Sequence, residues 1–149
     1  MALARTFRTS GATTTNPGTA SWASGSFTPS SSSLLVVGMW VVDNGLAADV
    51  TADMTVSGGG WTYTGGPSIG GAGSFQAQAK IWTAPVTTGA SMSLTFDCGT
   101  RNIYSSGWFV WDFTGYNTGT PTGGTFRLAF KSVTTGNIAF NASAASLSL

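Results

Sequence analysis

The sequence predicts an all-β protein, an antiparallel jelly-roll-like β-sandwich in one domain with an N-terminal arm, on three observations. Good helix formers are scarce: Glu is absent and Lys occurs only at positions 80 and 131, while Gly numbers 21 of 149 residues. Apolar residues alternate with polar ones over short runs, the period of a half-buried strand. Turn residues follow each run, at the spacing expected of a sandwich or small barrel of about eight to ten strands.

Residues 1–17 read as an arm or edge strand ending at Asn16-Pro17-Gly18, and residues 18–149 as the sandwich. Thr19–Phe27 is a predicted strand closed by Thr28-Pro29 and four serines. The continuous apolar run Leu34–Val42 predicts a central strand covered on both faces. Asp43-Asn44-Gly45 is a turn signal, Val50–Val56 alternates weakly, and Gly58–Gly60 breaks the chain. Trp61–Thr64 predicts a short aromatic strand and Gly65–Gly73 a loop. Phe75, Ala77, Ala79 and Ile81 alternate with Gln76, Gln78 and Lys80, which predicts a strand with one apolar and one polar face. Met92, Leu94 and Phe96 form a further alternating run.

The segment Gly107–Thr114 is the richest in aromatic residues. Trp108, Val110 and Asp112 share one side and Phe109, Trp111 and Phe113 the other, so this strand is central or carries an interface on its second face. Phe126, Leu128 and Phe130 predict another strand after a loop, and a Gly136-Asn137 turn leads into Ile138–Leu149.

Only 7% of residues are charged, against about 25% in ordinary globular chains. With 42% hydrophobic residues, six Trp and nine Phe, the core does not exhaust the apolar inventory, and the remainder points to a subunit or partner interface. A net charge of +1 with no basic stripe argues against direct nucleic-acid contact. No apolar stretch approaches the roughly 18 residues of a membrane helix, and Arg5 and Arg8 interrupt any leader-like run. The expectation is a complete, soluble chain made in the cytoplasm.

Candidate chemistry is thin. Histidine is absent, the single Cys98 has no partner thiol, and no Cys/His set exists for zinc. Gly66-Pro67-Ser68-Ile69-Gly70 lacks the spacing of a nucleophile elbow, and no Gly-Lys-Ser/Thr follows the glycine-rich loops. Asp97 and Asp112 could form a carboxylate pair of the kind glycosidases use, or each could pair with Arg101, Arg127 or a turn amide. Asp43, Asp49 and Asp53 lack calcium-loop spacing, and the sequon Asn141-Ala142-Ser143 stands without a leader. The sequence therefore predicts no catalytic residues, no metal, no cofactor and no enzyme. The surplus of Trp supports two other readings: anchors at protein contacts, or a platform that stacks on sugar rings.

Five motifs carry a resemblance. They are Gly25-Ser26-Phe27-Thr28-Pro29 leading to Ser33-Leu34-Leu35-Val36-Val37, then Gly60-Trp61-Thr62, then Ile81-Trp82-Thr83-Ala84 before Thr87-Thr88-Gly89, and last Phe113-Thr114-Gly115-Tyr116. Across residues 20–120 the chain resembles a recurrent type of tailed-bacteriophage virion protein, most of all a head decoration (cement) protein. The motifs are strand-and-turn features and transfer no functional residue. The resemblance implies a homotrimer on the outer surface of the virion head that binds the major capsid protein and bridges coat subunits. On that reading the expected contacts are Arg5, Phe7, Arg8, Phe109, Trp111 and Phe113. The alternative is a carbohydrate- or receptor-binding module of a tail fibre or spike, with Trp61, Tyr63 and Tyr116 as the stacking rings.

Overall fold

The structure, a computed structural model, describes residues 3–13, 20–43, 50–70, 77–101 and 103–116. The strands expected at 126–131 and after residue 138 lie outside these, as does most of the loop before them. The described residues are all-β, with every strand pair antiparallel.

Among the described residues eight strands form in chain order: β1 (Ala4–Thr13), β2 (Ser21–Ala23), β3 (Ser33–Asp43), β4 (Thr55–Ser57), β5 (Thr64–Ile69), β6 (Ala77–Val86), β7 (Thr95–Asp97) and β8 (Ile103–Thr114). They make a five-stranded sheet ordered β1-β8-β3-β6-β5 and a three-stranded sheet ordered β2-β7-β4. The chain passes between sheets at almost every connection, the β5–β6 pair being the exception. The two sheets share one core. Leu35, Val37, Met39 and Val41 of β3, Trp82, Ala84 and Val86 of β6, and Ile103 and Val110 of β8 pack against Val56 of β4 and Phe96 of β7. That is a β-sandwich.

The apolar run in β3 is central as expected. It pairs with β6 on one side and β8 on the other. Its second set of residues, Leu34, Val36 and Val42, is also buried but lies outside the shared core, on the opposite face.

Several elements differ from the sequence reading. The small sheet is built from three-residue strands: of the described residues 20–27 only Ser21–Ala23 is strand, and after Val50 strand begins only at Thr55–Ser57. Phe27 instead makes an isolated bridge with Met92. The strand near Trp61 begins at Thr64 and runs through glycines read as a loop, because Gly65 to Ile69 can pair along the edge of β6. Residues 1–17 have two readings, arm or edge strand, and residues 4–13 form strand β1 at the end of the described large sheet, paired with β8.

The polar side of β6 is the instructive difference. Gln78 is buried, not solvated, because its Oε1 accepts from the Val50 amide at 2.7 Å. Lys80 donates from Nζ to the carbonyls of Thr51 (3.0 Å) and Met54 (3.3 Å). Both side chains thus satisfy the turn that leads into β4, and buried backbone groups need such partners. Their apolar neighbours Ala79 and Ile81 are buried on the opposite face.

Candidate interaction surface

Alternation along β8 turns Val110 and Asp112 toward the core and Phe109, Trp111 and Phe113 away from it. The register sets these rings opposite Gly38, Val36 and Leu34 of β3. On the far side of β8, Phe7 of β1 stands opposite Trp111 and Arg5 opposite Phe113. Five of the six expected contact residues therefore share one face of the large sheet, the face turned away from the small sheet.

Specific contacts order this face. Phe7 meets Trp111 edge-on, with ring centroids 5.2 Å apart, and the Arg5 guanidinium lies 4.6 Å from the Trp111 ring centre. Two glycines let rings lie flat on the sheet. A Cβ at Gly38 would collide with the Phe109 ring, and one at Gly107 with the Trp40 indole. Each ring covers the bare backbone of its cross-strand neighbour. Phe7 is 49% exposed, while Trp40, Phe109, Trp111 and Phe113 are half-buried. The result is a flat aromatic patch with one cation at its edge.

Arg8 points the other way. Alternation from Phe7 puts Arg8 on the inner side, and the register shift between Phe7 and Thr9 leaves Thr9, opposite Val110, on that side as well. There its Nη2 donates to Asp112 Oδ2 at 2.7 Å and to Ser30 Oγ. The Ser30 amide donates to the same carboxylate oxygen at 2.6 Å. Arg8 is thus a tie between β1, β8 and the Ser30 loop. Nothing in the sequence spacing marks that tie, since Arg8 and Asp112 are 104 residues apart.

The carboxylates do not converge. Asp97 Oδ1 accepts from the Gly99 amide, a turn contact, whereas Asp112 accepts from Arg8 and Ser30. Phe96 beside Asp97 packs on Trp108, and about 13 Å of strand separates Trp108 from Asp112. Asp53 pairs with Arg101 at 2.7 Å.

Trp61 and Tyr63 are neighbours before β5, and Tyr116 follows β8. With β3 and β6 between those strands, about 14 Å of sheet separates them. Trp61 lies against the Gly59 backbone, and both Trp61 and Tyr63 pack on the core. The Tyr63 hydroxyl donates to the Gly58 carbonyl at 3.1 Å. Burial pushes its pKa up to about 12 from 10.0. A folded-state pKa above the unfolded value means stability that is intact below pH 10 and lost as pH rises toward 12. Alkaline denaturation should therefore steepen over that interval in the wild type and be shallower in Tyr63→Phe. Equal slopes would show that Tyr63 does not titrate on unfolding.

No protein-family model, no curated protein and no solved structure matches the chain.

Proposed function

We propose that the protein is a decoration protein of a tailed-bacteriophage head, binding the outer capsid surface as a homotrimer and stabilising it by bridging coat subunits. The observation that carries this reading is the aromatic patch centred on Trp111, with Arg5 at its edge. Aromatic and Arg side chains are the residues that anchor protein–protein contacts, and a flat patch suits a broad coat surface better than a cleft would. A trimer presents three such patches, so contacts of modest strength add through multivalency. In this reading the chain transforms no substrate and works by the area it buries.

The strand order lends further support. The orders β1-β8-β3-β6-β5 and β2-β7-β4 are compatible with a jelly roll in which β5 lies at the edge of the larger sheet. Jelly rolls recur in viral capsid and lectin domains, so the architecture suits a virion surface but carries no function by itself.

The test is to add purified protein to mature heads that lack it and to image the particles. Density on the outer surface at junctions between capsomers is the expected result. Density confined to the tail, or heads left bare, would sink the proposal. Deleting residues 1–17 is not a usable alternative, because it removes β1 and the cation that faces Asp112.

A further inference from the structure

Strand β1 is ten residues long, yet none of its side chains is buried, whereas β3, β6 and β8 each bury several. No β1 residue belongs to the shared core. Among the described strands it pairs with β8 alone, over nine positions.

The surface that receives β1, by contrast, is incomplete without it. Asp112 is fully buried and, among the described residues, would keep only the Ser30 amide. Trp111 would lose Arg5 and Phe7. The Trp108 ring lies across Gly11, where a Cβ would strike it, and Ser106 Oγ meets Thr13 Oγ1 at 3.0 Å. An occupant of this groove must therefore bring, in order, a cation and an aromatic ring for Trp111, a guanidinium for Asp112, a glycine beneath Trp108 and a hydroxyl for Ser106. The β1 sequence meets all of these requirements, and every copy of the chain carries it.

We propose that β1 is exchanged between copies: the β1 strand of one chain pairs with β8 of a second, its Arg8 reaching the second copy's Asp112 and Ser30. The contacts are the same whichever copy supplies the strand, and exchange of an identical element is a low-cost route to an oligomer. Because β1 takes no core residue with it, the remaining sandwich keeps its packing while the strand is shared. The device concerns how copies join one another and holds whatever surface the assembly binds.

Paired cysteines at the two ends of the ladder test this on the free protein. Ala4 stands opposite Thr114, and Thr13 opposite Ser106. Directly opposed Cβ atoms lie about 4.5–5.5 Å apart, close to disulfide reach. The double variants Ala4→Cys/Thr114→Cys and Thr13→Cys/Ser106→Cys are oxidised and run on a denaturing, non-reducing gel. The wild type, whose lone Cys98 is buried, is the control. Covalent multimers that collapse on reduction are expected from both variants. Closure within a single chain at either pair overturns the exchange. Failure of both pairs to cross-link overturns it too, since the register brings them within reach in either arrangement. Neither result bears on whether the protein binds heads.

Discussion

The Arg8→Ala variant is expected to lose about 3–5 kcal/mol of stability, far more than a substitution on an edge strand usually costs. The reason lies across the sheet. Asp112 is 0% exposed, and one of its oxygens, Oδ1, already lacks a partner among the described residues. Without the guanidinium its charge has, among the described residues, only the Ser30 amide to face, in a buried place. The reverse variant, Asp112→Ala, should cost less, because the Arg8 side chain is 21% exposed and can turn its charge to solvent. Replacing both, as Arg8→Met with Asp112→Leu, removes the two charges together. That double variant should recover all but about 1 kcal/mol, the remainder being the Ser30 amide left without its acceptor. Urea denaturation midpoints at constant slope measure all three. An Arg8→Ala midpoint indistinguishable from wild type would mean that the pair does not bear on stability.

The second large effect concerns binding. Trp111→Ala should reduce occupancy of mature heads at least tenfold at a fixed protein concentration, since truncating a central aromatic anchor typically costs about 2 kcal/mol or more. Arg5 and Phe7 both rest on this ring, so its loss also unfastens their positions. Tyr104→Ala is the matched control. Tyr104 is 45% exposed on the same strand, seven residues and roughly 23 Å from Trp111. Circular dichroism and a denaturation curve establish that both variants fold. If Trp111→Ala decorates heads as well as the control does, the patch is not the contact.

Much of this architecture was legible in the one-dimensional pattern. The apolar run at Leu34–Val42 announced a central strand, and the alternation in Gly107–Thr114 separated Phe109, Trp111 and Phe113 from Val110 and Asp112. Period-two patterning reports which residues share a face, and that information survives without coordinates. The aromatic surplus likewise signalled that apolar surface would remain after the core was filled. The same logic failed at β6, where it assigned Gln78 and Lys80 to solvent. Alternation says which residues face together but not what lies over them, and the turn at 50–54 lies over these two.

By itself, then, the amino-acid order determined an all-β chain, its principal strands and the sidedness of its aromatic rings, because these depend on local propensity and a two-residue repeat. Only the tertiary structure decided that residues 4–13 pair with β8 in the large sheet, and that Arg8 meets a carboxylate 104 residues away while Arg5 and Phe7 face out. Pairing between distant segments depends on register and on a single bulge. No local feature of the chain encodes either.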